Sequence, residues 1–259
     1  MLEKQLLELK DWFKTYIKGF YNNDPSIQAG IGQKEKHTLR VCEKTVRIGL
    51  SLDLDSEDIR LAETAALFHD IGRFRQFTVY RTFNDRRSEN HALLGVRELK
   101  TAGVLSSLAE EEQELILTAV GCHNMFKLPP DLGGRALLFC RLVRDADKLD
   151  IMDSFANYYT YNPSPLFESD LPETPGYSAV LVENLIRRQG CSYSDMKNYN
   201  DRKLLILSWV YDINFPYALA EIAENRCLEK ITRSLPGTGE INEAYNSLRS
   251  YIAARLETV

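Results

Sequence analysis

Four histidines occur in the 259-residue sequence: His37, His69, His91 and His123. One belongs to the stretch "ETAALFHDIGRF" (63–74), where His69 and Asp70 stand side by side at the end of an apolar run. Burying either group alone is costly unless it is paired or holds a metal. Helical spacing turns the others inward too. His37 lies four residues before Val41, and His69 follows Ala62, Ala65 and Ala66 at intervals of seven, four and three. His123 ends a segment whose inner positions are Ile116, Ala119 and Val120. His91 falls in the first turn after a capping serine, Ser88. Asp147, in "RLVRDADKLD", comes four residues after Val143 and seven after Cys140. Any one of these residues reads as a hydrogen-bonded core group. Together they are six costly groups in one interior, and metal binding gives them a common purpose. Imidazole and carboxylate without thiolate suit Mn, Fe, Co, Ni or Zn. Helix neighbours point about 100° apart, so His69 and Asp70 meet at one site only if it lies between them. Asp70 can then join two ions through its two oxygens.

The elements that must position these groups read as helices throughout. Apolar spacing predicts helices over 2–20, with Leu6, Leu9, Phe13 and Ile17 inward, and over 35–50, with Val41, Thr45 and Ile48 on one face. "DSED" (55–58) offers an N-cap to a third helix that runs to about Asp70. Residues 71–88 are rich in arginine and aromatics and poorly periodic, and read as a loop with at most one turn. Helices follow over about 89–101, 107–124 and 133–159. Four prolines make "YNPSPLFESDLPETPGYS" (161–178) an irregular connection, long enough to serve as a lid. Helix returns over 178–189, 201–226 and 239–257, with Pro216 kinking or breaking the middle segment. The expected fold class is all-α, with a helical core and N-terminal helix over 1–160 and a loop with helical extension over 161–259.

Composition narrows the function class. Hydrophobic residues make up 44% and charged residues 27%, as in a soluble globular protein. A net charge of -5 argues against a general nucleic-acid or anionic-membrane binder. Five scattered cysteines form no C-x-x-C pair, which suits reduced thiols rather than a disulfide frame or zinc ribbon. The N-terminal segment is amphipathic and charged throughout, unlike a signal peptide, and no apolar run reaches membrane-spanning length. A cytoplasmic location is expected. Oligomeric state is not legible.

The ordered pattern His37 … His69-Asp70 … Asp147 resembles the HD superfamily of metal-dependent phosphohydrolases over roughly residues 30–160. "ALFHDIGR" and "DADKLD" are similar to its second and last motifs. Single-metal members use that four-residue set, whereas members with two further histidines hold two metals. "SENHALLGVREL" and "AVGCHN" resemble those insertions. The resemblance implies that His37, His69, Asp70 and Asp147 hold one divalent ion, and Asp70, His91 and His123 the other. The chain departs from the HD-GYP cyclic-di-GMP phosphodiesterases: it has a single histidine at His123, no Gly-Tyr-Pro string, and Arg73 where that branch usually has lysine.

Two ions bridged by a carboxylate suit hydrolysis of a phosphate ester, because they lower the pKa of a shared water and clamp phosphoryl oxygens. The expected activity is hydrolysis of a small phosphorylated substrate, with nucleotides among the candidates, by a phosphomonoesterase or phosphodiesterase. Arg73, Arg75, Arg81, Arg86 and Arg87 form a local excess of arginine between the His-Asp pair and His91. Guanidinium matches phosphate oxygens, so Arg73, Arg86 and Arg87 are candidate substrate contacts, with solvated surface charge as the alternative. Asp70, Arg73 and Lys148 are the candidate catalytic groups. Lys148 neutralises phosphate or pairs with a carboxylate, and Asp150 orients a ligand or serves its helix. "WVYDINF" (209–215) reads as core packing before pocket lining. Two rival functions remain: an HD-type di-iron oxygenase, and a metal-containing ligand-binding or regulatory module.

Overall fold

The computed structural model describes residues 1–161 and 171–257, with side chains through Tyr158 and again from Leu171. Among the described residues there are helices and no strand, so the fold is all-α. The chain divides into two compact units, Met1–Asp147 and Lys148–Val259. The division falls inside a long helix.

In the first unit, α1 (Glu3–Lys18) buries Leu6, Leu9, Phe13 and Ile17 and packs on α3 (Ser56–Phe68). Trp12 and Phe13 both meet the Phe68 ring. The second helix, α2 (Pro25–Ser51), starts ten residues before its expected position. Asp24 caps it by accepting from the Ser26 and Ile27 amides, and Pro25 occupies the first turn. Gly30 and Gly32 weaken the periodic signal there, yet Gly30 has a purpose. A Cβ at that position would lie 2.2 Å from the Phe77 ring, so glycine lets α2 approach α4 (Ile71–Tyr80).

That helix, α4, is a correction to the expected loop. It buries Ile71, Gly72, Phe74 and Gln76, a narrow face that the flanking arginines obscure in the sequence. It ends at Arg81 in the left-handed region, φ 57°, and a 3-10 turn follows at Asp85–Arg87. The next helix, α5 (His91–Ala102), is capped by Asn90 and not by Ser88: the Asn90 side chain accepts from the Ala92 and Leu93 amides at 2.9 and 3.1 Å. The Ser88 hydroxyl instead donates to Asn84 O and accepts from Gln76. Both α5 and α3 pack against α6 (Glu110–Cys122). The unit closes in α7 (Gly134–Tyr161), whose first half belongs to it.

In the second unit, α8 (Ala179–Ile186) and α9 (Tyr199–Ser208) pack together. The single helix expected over 201–226 is two. A 3-10 turn at Trp209–Asp212 ends the first part, and Pro216 takes the first-turn position of α10 (Pro216–Glu224), where its missing N–H costs nothing. α11 (Cys227–Thr232) follows, and α12 (Gly239–Glu257) packs on α8, α10 and α11. The "WVYDINF" stretch packs within this unit: Tyr211 donates to Leu185 O at 2.6 Å and meets the Tyr251 ring edge-on. All five cysteines are buried and free. No described helix is long and apolar enough to cross a membrane. Most of the stretch that suggested a lid, residues 162–170, lies outside the described residues.

Candidate metal centre

Five elements of the first unit converge on one carboxylate. His37 comes from the middle of α2. His69 closes α3, and Asp70 is the residue on which α4 begins. His91 opens α5, His123 ends α6, and Asp147 lies on α7. His37, His69, Asp70, His91 and His123 are all buried, while the Asp147 side chain is 19% exposed.

The two oxygens of Asp70 face different histidine pairs. Oδ2 lies 3.6 Å from Nε2 of both His37 and His69. Oδ1 lies 3.3 Å from His91 Nε2 and 3.6 Å from His123 Nε2. Asp147 Oδ1 stands 3.1 Å from His37 Nε2 and 3.8 Å from His69 Nε2. Two groups of donors therefore share Asp70: His37–His69–Asp70, with Asp147 beside it, and Asp70–His91–His123. Both are capable of coordinating a divalent metal ion.

The hydrogen bonds behind the rings show what the cluster fits. His69 Nδ1 is 2.7 Å from Ala66 O, and His123 Nδ1 is 2.7 Å from Val120 O. His91 Nδ1 lies 2.7 and 2.9 Å from the Asp85 oxygens. A carbonyl or carboxylate oxygen only accepts, so each Nδ1 carries the proton and each Nε2 keeps a bare lone pair. The Nε2 atoms crowd together: those of His91 and His123 are 2.9 Å apart, and those of His37 and His69 are 3.4 Å apart. Burial holds His69 down at about 4 against the pull of Asp70 and Asp147. Burial and the Arg73 charge hold His91 down at about 3. These two rings are neutral at neutral pH and add no proton to fill the gap. Lone pairs aimed at one another and at carboxylates call for a cation between them. The all-N/O donor set matches the transition metals expected from the residue types.

Charge around Asp70 keeps it ionised. Burial pushes its carboxyl upward, but Lys34, His69, His123 and Arg73 hold it well below the usual range. Lys34 Nζ is 2.7 Å from Oδ2 and Arg73 Nε is 3.5 Å from Oδ1. Asp147 is likewise lowered against its burial, by the His37 hydrogen bond and the His69 and His37 charges.

Of the candidate substrate and catalytic residues in the first unit, Asp70 is the centre of the cluster and Arg73 stands beside it. Its Nη1 is committed to Gln76 Oε1, Phe83 O and Asp85 Oδ1. Its Nε is buried without a hydrogen-bond acceptor. Arg86 and Arg87 are exposed on the 3-10 turn. Arg75 pairs with Glu98 and Arg81 with Asp24. Lys148 starts the second unit and pairs there with Asp212. Asp150, also in the second unit, is buried.

Four contributors escaped the sequence reading: Lys34, Gln76, Asp85 and Asn124. Lys34 stands three residues before His37, a helical spacing that signals a shared face. Asp85 accepts from Arg73 Nη1 at 3.0 Å, Gln76 Nε2 at 2.9 Å and Asn124 Nδ2 at 3.2 Å as well as from His91. Burial raises its carboxyl, but the His91 hydrogen bond and the His91 and Arg73 charges outweigh this and bring it to about 2. No local pattern in "FNDRRS" distinguishes Asp85 from an ordinary turn residue. At the other edge, buried Arg144 donates from Nη1 to the Cys122, His123 and Met125 carbonyls. It thereby satisfies the end of α6 and fixes the backbone at His123.

Residues 35–152 match the family model of the HD domain. That segment contains all six candidate ligands. Nothing among the curated proteins or the solved structures matches the chain.

Proposed function

We propose that the protein is a metal-dependent phosphohydrolase acting on a small phosphate ester. The observation that carries the reading is the division of the Asp70 carboxylate between two histidine pairs, which supports a dinuclear centre over a single ion. His37, His69, Asp70 and Asp147 would hold one divalent ion, and Asp70, His91 and His123 the other. Such ions supply Lewis acidity, which lowers the pKa of a water and neutralises phosphoryl oxygens.

The chain's own residues then bind and orient the ester. Lys34 brings a positive charge against Asp70 at the edge of the centre, where it can meet a substrate oxyanion. Arg73 has one arm left to do the same. Nη1 and Nε are turned to Asp85 and Asp70, and among the described residues Nη2 carries no hydrogen bond. A partly buried guanidinium held by three acceptors is pre-organised and loses little freedom when it grips an oxygen. Arg86 and Arg87 are exposed on the neighbouring turn.

The test is metal analysis of protein purified without chelator, then a panel of phosphate monoesters and diesters with and without dioxygen. Phosphate release indifferent to dioxygen is the expected result. Turnover that requires dioxygen would replace the reading with di-iron oxygenase chemistry. Ligand binding without turnover under any metal would replace it with a regulatory module.

A further inference from the structure

His91 is held differently from His69 and His123. Those two rings each donate Nδ1–H to a backbone carbonyl three residues earlier, an anchor that no side-chain substitution removes. His91 donates to a side chain, and a charged one. Both Asp85 oxygens lie within 2.9 Å of its Nδ1.

We propose that Asp85 is a positioning residue that keeps the His91 proton on Nδ1. It thereby sets the metal affinity of the Asp70–His91–His123 site independently of the site built on His37, His69 and Asp147. The inference rests on the metal-centre reading above and deepens it. A carboxylate behind an imidazole fixes the ring's tautomer and orientation, makes its other nitrogen more basic, and adds negative charge near the ion.

The surroundings of Asp85 make this role specific to a carboxylate. Arg73, Gln76, Asn124 and His91 all donate to it, and an ionised carboxyl has lone pairs for four donors. Asparagine at this position has one accepting oxygen, and its amide N–H groups would face donors. The least frustrated arrangement gives the oxygen to Arg73 and Gln76 and turns the amide N–H toward His91. His91 Nδ1 must then accept, its proton moves to Nε2, and the lone pair facing Asp70 and His123 is lost.

Because the chain has only four histidines, ring tautomers are readable one by one by 15N NMR in metal-free, histidine-labelled protein. Wild type should show His91 protonated on Nδ1. Asp85→Asn should shift His91 toward Nε2–H while His69 and His123 stay as they are, and Asp85→Glu should keep the wild-type tautomer. Calorimetric titration with Co2+ should find two sites in wild type. In Asp85→Asn one of them should weaken by roughly ten- to a hundredfold and the other should hold. A wild-type His91 protonated on Nε2 overturns the proposal without need of any variant. So does an Asp85→Asn protein whose tautomers and two affinities are unchanged, or one in which both sites weaken equally. If wild type binds fewer than two ions, the dinuclear reading fails, while the metal-free tautomer measurement still decides what Asp85 does to His91.

Discussion

His91 and His123 present their Nε2 atoms to one another at 2.9 Å with Asp70 Oδ1 within 3.6 Å of both. Their Nδ1–H groups are turned to Asp85 and Val120 O, so each ring presents its Nε2 to the gap. Asp70 is the charge that makes the arrangement tolerable to a cation. Asp70→Asn keeps its size and removes that charge. An amide has one accepting oxygen and cannot serve two donor groups alike, so the variant is expected to lose at least one ion and nearly all hydrolysis while its helical circular dichroism survives. Metal analysis showing two ions, together with normal activity, would take Asp70 out of the centre.

The buried histidines make the metal-free protein sensitive to mild acid. An unfolded histidine titrates near 6.5, whereas burial depresses folded His69 to about 4 and folded His91 to about 3. Between those limits the unfolded chain binds protons that the folded chain refuses, so stability falls as pH falls below 6.5. At pH 5.5 each ring costs on the order of 1 kcal/mol, and the two effects add. The lowered carboxyls of Asp70 and Asp85 do not offset this. Their stabilisation is fully present above about pH 4 and is lost only at lower pH. Urea unfolding in the presence of chelator at pH 7.5 and 5.5 should show the difference. Equal stability at the two pH values would mean that these rings are not held neutral.

Most of the candidate metal cluster was legible because His37, His69, His123 and Asp147 keep helical register with apolar neighbours, and a polar group in register with a core stripe stands out. Lys148 adjoins Asp147 in sequence, and its amine pairs with Asp212, one of the two roles its position allowed. The α4 helix was illegible because its inner face includes Gly72 and Gln76. One has no side chain to mark the face. The other is a buried amide whose partners, Arg73, Asp85, Ser88 and Glu89, are assembled only by the fold. Asp85 was invisible because a turn residue has no periodicity. The early start of α2 was written in "NDPS", a capping residue followed by proline, which two glycines downstream overshadowed.

Gly72 tests how closely the fold and the centre are joined. A Cβ there would lie 2.2 Å from His91 O and 2.7 Å from Gly95 N. Both are backbone atoms, so α4 and α5 would have to separate, and with them Asp70 and His91. Overpacking of this kind costs about 1–3 kcal/mol and sometimes more. Gly72→Ala is expected at or beyond the upper end by urea denaturation, with loss of metal from the Asp70–His91–His123 group. Gly133, where a Cβ meets nothing within 4 Å, is the control. Equal stability of the two alanine variants would show that α4 and α5 do not need this contact.

Arg73 carries two expectations that one variant can separate. Its Nη1 ties Phe83 O and Asp85 to α4, and its 15% exposed side chain leaves Nη2 for substrate. Arg73→Ala removes both functions, and loss of a charge-assisted contact to phosphate costs about 1.5–3 kcal/mol, a fall of roughly ten- to a hundredfold in kcat/KM. Arg73→Lys keeps a charge near Asp70 but cannot satisfy three acceptors and still reach outward. If Nη2 grips the ester, both variants should lose kcat/KM with two ions still bound, and guanidinium ion added to the alanine variant should restore part of it. If Arg73 only braces the turn, the melting temperature should fall in both variants while kcat/KM for a phosphate ester holds at wild-type level. That second outcome would leave Lys34 as the cation that faces the substrate.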